Sequence, residues 1–114
     1  MRELLYNAAT HYKRGTQLAA QGDLRGAMAA YAEALRDLHA VQPQRMRDVL
    51  LAQVHLSRYR VGVRARSKRA AEDLRLGYSY ARTTREPAVQ ALAQELWQNH
   101  LSSREEVEVL AADD

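Results

Sequence analysis

The sequence contains no cysteine, and only two prolines and five glycines occur among its 114 residues. The absence of cysteine excludes disulfides, a thiolate metal site and a cysteine nucleophile, and it fits a reducing compartment. No apolar run reaches the roughly 18 residues that a membrane span needs, and the N-terminal residues lack the long apolar stretch of a signal peptide. We therefore expect a cytoplasmic protein that neither spans a membrane nor is exported.

What the chain has in abundance is alanine and leucine, with twenty and fifteen of them. Both residues lose little side-chain entropy in a helix, and no window shows sustained alternation of apolar and polar residues. Apolar side chains instead recur at steps of three and four, for example in the stripe Val49, Ala52, Leu56 and Tyr59. The sequence therefore predicts an all-α fold, and its length predicts a single domain over residues 1–114.

The few breaking residues divide the chain into helices. Gly22 suits the left-handed C-terminal cap of the first helix, and Asp23 suits the N-cap of the second. Pro43 and Pro87 suit the first turns of later helices. The segment from Ser103 to Glu106 has the spacing of a capping box, which predicts a short sixth helix from residue 104 to about residue 111. Six helices connected by short turns form three hairpins, at about residues 2–41, 43–84 and 86–111.

Short segments recur at an interval close to the length of one hairpin. The tripeptide Leu-Ala-Gln at residues 51–53 returns 41 residues later at 92–94. In the second helices, the spacing Ala27-x3-Tyr31-x2-Ala34 matches Ala70-x3-Leu74-x2-Gly77, 43 residues later. An internal repeat whose period drifts in this way predicts small insertions in the turns.

The run Gly15-x2-Leu18-x3-Gly22-Asp23-x3-Ala27-x3-Tyr31-x2-Ala34-Leu35 places small residues where two helices would cross and large residues between them. In this respect residues 8–41 resemble the tetratricopeptide repeat (TPR). Residues 42–85 lack the Gly-Asp turn, and residues 86–111 keep mainly the first helix, as in the longer, degenerate repeats of about 40 residues of bacterial regulatory proteins. The resemblance implies a TPR-like right-handed superhelix of about three antiparallel hairpins. It also implies a non-catalytic module that binds a peptide or partner protein as a scaffold, adaptor or chaperone.

In the TPR family, the first helix of each hairpin lines a concave groove that receives a peptide. With the chain aligned at the small residues Gly15, Ala52 and Ala93, the resemblance implies these groove residues: Tyr12, Thr16, Val49, Gln53, Gln90, Gln94 and Trp97. Trp97 is equally open to a packing role against the last helix. Thr16 occupies the position where the family's peptide-carboxylate clamp has Asn, so that specificity is not implied for this chain.

Charge is distributed unevenly along the chain, although the formal net charge is only +3. Residues 41–85 carry eleven basic and three acidic residues, whereas residues 86–114 carry one and seven. Six basic residues fall in twelve positions with no acid between them: Arg58, Arg60, Arg64, Arg66, Lys68 and Arg69. They suit contact with an anion or an acidic partner, and nucleic-acid binding through residues 58–69 is the alternative function. The acidic C-terminal part could instead balance them, within one chain or in a homodimer.

The sequence does not bring together residue types for catalysis or metal binding. The histidines are His11, His39, His55 and His100, and they show neither His-Glu-x-x-His spacing nor a cysteine cluster beside them. Neither a phosphate-binding glycine loop nor a Gly-x-Ser-x-Gly elbow occurs. Glu105 and Glu106 fit a solvated helix face better than a catalytic pair. We therefore expect no enzyme, no metal and no cofactor.

Overall fold

The computed structural model of the chain describes the backbone of residues 2–112 and the side chains of residues 2–103. The predicted all-α fold is confirmed, because these residues form helices and turns with no strand. The helices are α1 (Arg2–Ala20), α2 (Leu24–His39), α3 (Arg45–Arg64), α4 (Ala70–Thr84) and α5 (Pro87–Ala112). Within the described residues, no helix combines the length and the apolar character that crossing a bilayer requires.

The predicted sixth helix is wrong, because α5 runs without a break from Pro87 to Ala112. Ser103 lies inside α5 and does not act as an N-cap. An N-cap residue must leave the helical region of the backbone, and neither proline nor glycine occurs at residues 88–112 to force that departure. A single long helix therefore replaces the third hairpin, and residues 2–112 form five helices where we predicted six.

The turn between α1 and α2 forms as predicted. Gly22 adopts the left-handed conformation with φ 84°, and its N–H donates to the carbonyl of Ala19 at 3.0 Å. The N–H of Asp23 donates to the carbonyl of Leu18 at 2.9 Å. The Asp23 carboxylate then caps α2 by accepting from the N–H of Gly26 at 2.9 Å. Together these bonds satisfy the groups that one helix end and the next helix start would otherwise leave unpaired.

The turn that follows α3 has the same hydrogen bonds without a glycine. Arg66 is left-handed with φ 56°, its N–H donates to the carbonyl of Val63 at 3.2 Å, and the N–H of Ser67 donates to the carbonyl of Gly62 at 2.8 Å. Arg66 therefore occupies the position of Gly22, 44 residues later. A left-handed arginine is strained relative to glycine, which is why the sequence did not reveal this turn.

Helices α1, α3 and α5 lie side by side in one layer and run parallel. Tyr12 of α1 meets Ser57 of α3 at 3.2 Å, and Tyr59 of α3 meets His100 of α5 at 3.3 Å, in each case through polar side-chain atoms. Helix α2 packs against α1 and α3, and α4 packs against α3 and α5. Both run antiparallel to their neighbours because short turns connect consecutive helices. The fold is therefore a layer of three helices backed by two.

Helix α3 is the central element and is buried on two sides. Its predicted stripe belongs to an apolar cluster that α3 shares with α4 and α5: Val49, Ala52, Leu56 and Tyr59. A second stripe, at Leu51, Val54 and Val61, belongs to a cluster shared with α1 and α2. Our sequence reasoning missed this second stripe, although its steps of three and seven residues are equally helical. Two apolar stripes on one helix indicate an element that has neighbours on both sides.

Small residues lie where the paired helices cross. A Cβ atom at Gly15 of α1 would lie 2.6 Å from the ring of Tyr31 of α2, and Ala27 of α2 is completely buried, as predicted. A Cβ atom at Gly77 of α4 would lie 2.7 Å from the side chain of Leu56 of α3. The close approach of each pair therefore depends on the absence of a side chain at one position.

Candidate binding cleft

A cleft of about 320 Å3 opens between α1 and α3, with α2 beneath it. We call it the α1–α3 cleft, and its lining residues are Tyr12, Thr16, Ala19, Ala20, Tyr31, Ser57, Arg60, Val61 and Arg64. Because α1 and α3 are parallel neighbours, residues from successive turns of each helix form two facing rows. The volume lies at the lower end of the range for ligand pockets and leaves room for a few side chains of a bound segment.

The base of the α1–α3 cleft carries four hydroxyl groups in two hydrogen-bonded pairs. The Oη of Tyr12 lies 3.2 Å from the Oγ of Ser57, and the Oγ1 of Thr16 lies 3.1 Å from the Oη of Tyr31. Burial raises the pKa of the Tyr31 phenol, so this hydroxyl keeps its proton at neutral pH. Each of the four groups can donate a hydrogen bond as well as accept one, so together they can offer donors to an anionic group.

The side of the cleft formed by α3 carries positive charge. Arg60 and Arg64 lie one helical turn apart and are both exposed, and the Nη1 of Arg64 reaches to 3.5 Å from the carbonyl oxygen of Ala19. Among the residues that line the cleft, all of them described, none is acidic. Two guanidinium groups without a carboxylate in the same cleft attract an anion, and closely spaced positive charges make that attraction stronger.

The six basic residues singled out in the sequence point to three different places. Two line the α1–α3 cleft, two line a depression between α2, α3 and α4, and two are exposed in the turn after α3. These are, in that order, Arg60 and Arg64, Arg58 and Arg69, and Arg66 and Lys68. Helical geometry explains the division, since residues 58 and 60 project about 200° apart around α3. The six residues therefore do not form one continuous patch.

The seven predicted groove residues are also divided, and their role in binding stays a prediction. Tyr12 and Thr16 line the α1–α3 cleft, Gln53 is half-buried on α3, Val49 belongs to the core, and Gln90, Gln94 and Trp97 face α4. Tyr78 of α4 makes this orientation clear, because its hydroxyl donates to Gln94 at 3.3 Å and its ring centroid is 5.2 Å from that of Trp97. A separate cleft of about 240 Å3 lies there.

The interval of 41 residues given by the tripeptide match recurs in the contacts of α3 with α5 and the residue before it. Arg45 meets Glu86, and Tyr59 meets His100, each 41 residues further along the chain. The alignment therefore brought the right parts of the two helices together, but helix α4 packs against the side of α5 that carries Gln94 and Trp97.

A second polar cluster lies between α3 and α4. The Nδ1 of His55 is 2.9 Å from the Oδ1 of Asp73, and the Nε of Arg58 is 3.2 Å from the Oδ2, although the guanidinium is poorly oriented for a hydrogen bond. The His55 ring stacks on Tyr80 with centroids 6.0 Å apart. His55 and Asp73 are each only 6% exposed. The described residues contain no group of three side chains suited to a metal ion, so we interpret the cluster as a structural ion pair.

Two of the polar residues that line the α1–α3 cleft escaped the sequence reasoning. The sequence reasoning identified Tyr31 only as a packing residue, and it did not identify Ser57. A signal for Ser57 was present, because Gln53, Ser57, Arg60 and Arg64 recur at steps of three and four between the two apolar stripes of α3. Three residues of that row, Ser57, Arg60 and Arg64, line the α1–α3 cleft.

No protein-family model, no curated protein and no solved structure matches this chain. What the chain binds must therefore be inferred from the chemistry of its clefts.

Proposed function

We propose that this chain is a non-catalytic protein-binding module, a scaffold, adaptor or chaperone, that binds an acidic segment of a partner protein in the α1–α3 cleft. The observation that carries the proposal is the composition of that cleft, in which two arginines and four hydroxyl groups occur without an acidic residue. Charged hydrogen bonds from guanidinium groups to carboxylates are stronger than neutral ones. The hydroxyl groups would satisfy the remaining acceptor sites of a bound carboxylate.

A TPR-like superhelical arrangement is part of the proposal. The parallel layer of α1, α3 and α5, the two antiparallel pairs behind it and the equivalent turns 44 residues apart all support it. Within this arrangement the cleft lies between the first helices of two successive pairs, where the resemblance to TPR proteins implies a groove. A rigid surface of this kind binds with little loss of conformational entropy.

The exposed surface of α5 supports its role as the last helix of such an array. The outward face of α5 carries small and polar exposed residues: Ala91, Glu95, Gln98, Asn99 and Ser102. A helical array needs a polar outer face on its last element to prevent further stacking. The exposed face of α5 therefore has the polar character expected of the last element of such an array. We also propose that the protein acts in the cytoplasm, because its sequence contains no cysteine.

A peptide titration tests the proposed function. The probe is a fluorescein-labelled twelve-residue peptide of alternating Glu and Ser, compared with the same peptide in which Gln replaces Glu. We expect fluorescence polarisation to show binding of the acidic peptide only, weakening as salt is raised. The double substitution Arg60→Gln with Arg64→Gln should weaken binding at least about tenfold, or about 1.4 kcal/mol.

The matched control is the double substitution Arg25→Gln with Arg85→Gln. It removes the same charge from exposed positions that line none of the clefts described. Equal weakening by both double variants would mean that net charge, and not the cleft, attracts the peptide. That result would contradict the proposed function.

Nucleic-acid binding through residues 58–69 is the second candidate. Arg66, Lys68 and Arg69 are exposed together around the start of α4, which favours it, whereas Arg58 is directed to Asp73. A titration with labelled single-stranded RNA and duplex DNA at low and high salt distinguishes the two functions. Tight binding with a steep salt dependence, lost when Arg66 and Lys68 are replaced by Gln, would favour nucleic acid.

A further inference from the structure

We infer that the acidic C-terminal stretch of one copy, residues 104–114, occupies the α1–α3 cleft of a second copy, and this inference rests on the proposed function. The stretch carries five acidic residues and one basic residue: Glu105, Glu106, Glu108, Asp113, Asp114 and Arg104. The cleft carries two arginines and no acid. The chain therefore contains both a cationic site and a segment of the chemistry that the site attracts.

The direction of α5 favours a second copy over the chain's own cleft. Tyr59 of α3 and His100 of α5 lie side by side, and the two helices are parallel. Helix α3 ends five residues later at Arg64, whereas α5 ends twelve residues after His100 at Ala112. At 1.5 Å per residue, α5 extends roughly 10 Å beyond the end of α3. The acidic stretch is thus carried past its own α3, while the cleft lies on the side of α3 that faces α1.

Reciprocal exchange would close the assembly. If each copy inserts its acidic stretch into the other's cleft, the two contacts are identical and related by a two-fold axis. The second contact then forms within one complex, so two weak contacts together give a dimer that either alone would not. Exposed charges are screened by salt, and we expect dissociation of the dimer as ionic strength rises from about 0.05 M to about 0.5 M.

Sedimentation velocity on the intact chain tests the inference by charge reversal. The wild type should sediment at twice the 12.9 kDa monomer mass at low salt. A cleft variant with Arg60→Glu and Arg64→Glu should be monomeric, and so should a tail variant with Glu105→Arg, Glu106→Arg and Glu108→Arg, which makes the tail net basic. An equimolar mixture of the two variants should form a heterodimer, because the acidic tail of one meets the basic cleft of the other and the basic tail meets the acidic cleft.

The control variant carries Arg25→Glu and Arg85→Glu, which changes the net charge by the same amount as the cleft variant at exposed positions outside the clefts. It should dimerise like the wild type. A wild type that is monomeric at all concentrations, a dimer that survives both reversals, or a mixture that stays monomeric would overturn the inference. If the acidic Glu-Ser peptide still binds in the first of these cases, the proposed function stands and only the self-association is lost.

A peptide of residues 103–114 provides a test that does not depend on the folding of a variant. Added to wild-type protein at low salt, it should bind and convert the dimer to monomer, whereas a version with Gln in place of every acidic residue should do neither. Failure of the acidic peptide to dissociate the dimer would place the dimer contact elsewhere and overturn the inference.

Discussion

The helix pairs α1/α2 and α3/α4 are connected by turns with the same hydrogen bonds, but their crossings are built from different residues. At the first crossing the glycine belongs to the first helix and the large side chain to the second, as Gly15 and Tyr31. At the second crossing the order is reversed, with Leu56 on the first helix and Gly77 on the second. In both pairs a small residue faces a large one. The small residue lies on the first helix of one pair and on the second helix of the other. The residue pattern of the first pair finds Gly77, at the position of Ala34, but does not show that Leu56 is the large residue opposite it.

The two pairs also contain the same kind of histidine–aspartate contact at different depths. His11 meets Asp37 across α1 and α2 at 2.9 Å, and His55 meets Asp73 across α3 and α4 at 2.9 Å. The two histidines are 44 residues apart, the same interval as the equivalent turn residues. His11 and Asp37 are 34% and 19% exposed, against 6% for both His55 and Asp73. The second pair lies where α2 packs beside α3 and α4, and because it is more deeply buried, removal of one partner should cost more stability there.

The difference in burial between the two histidine–aspartate contacts should produce the largest effect on the free energy of unfolding. Asp73→Ala leaves His55 and Arg58 buried beside a cavity, and loss of one partner of a buried ion pair costs about 3–5 kcal/mol. Asp37→Ala removes a partly exposed partner and should cost no more than about 1 kcal/mol. Urea denaturation followed by circular dichroism measures both. Losses of equal size would show that depth does not distinguish the two ion pairs.

A substitution at a helix crossing should have the next largest effect on stability. Gly77→Val should lower the free energy of unfolding by about 1–3 kcal/mol, because its added atoms would overlap the side chain of Leu56. Adding Leu56→Ala should give a combined loss smaller than the sum of the two single losses, by at least about 0.5 kcal/mol. Ser79→Val, on an exposed position of the same helix, is the control and should have little effect. Additive losses would mean that the two residues do not share one space.

Substitutions in the two turns should have the smallest effects on the free energy of unfolding, and the two effects should have opposite signs. Gly22→Ala places a Cβ in the left-handed conformation and should cost about 1 kcal/mol. Arg66→Gly relieves the same strain in the second turn and should raise the free energy of unfolding by up to about 1 kcal/mol. Thermal unfolding by calorimetry compares the two variants with the wild type. A loss of stability on Arg66→Gly would show that the arginine side chain stabilises the turn by more than the strain costs.

The sequence reasoning succeeded where the signal was local. Gly22 and Asp23 predicted a turn correctly because each residue acts through its own backbone or its nearest amides. The capping box at Ser103 failed for the related reason that a cap is used only where the helix is interrupted, and no residue near Ser103 interrupts α5. A local pattern permits a helix start but does not impose one.

The candidate site was predicted only in pieces. Tyr12 and Thr16 were predicted from the resemblance to TPR proteins, and Arg60 and Arg64 from the run of basic residues, as two unrelated features. Their meeting in one cleft depends on the parallel alignment of α1 and α3, which joins residues about 45 positions apart. Nothing in the spacing of the two pairs along the chain indicated this contact.

By itself, the sequence of this protein determined that helices form, approximately where they begin, and that the first turn is built on Gly22 and Asp23, since these properties follow from the conformational preferences of neighbouring residues. Only the tertiary structure decided which face of each helix meets which neighbour. A shift of one residue in register rotates the side chains of a helix by about 100°. The register is selected by the fit of side chains, such as Tyr31 over Gly15 and Leu56 over Gly77. The α1–α3 cleft exists because that fit leaves one polar row of α3 facing α1 and open to solvent.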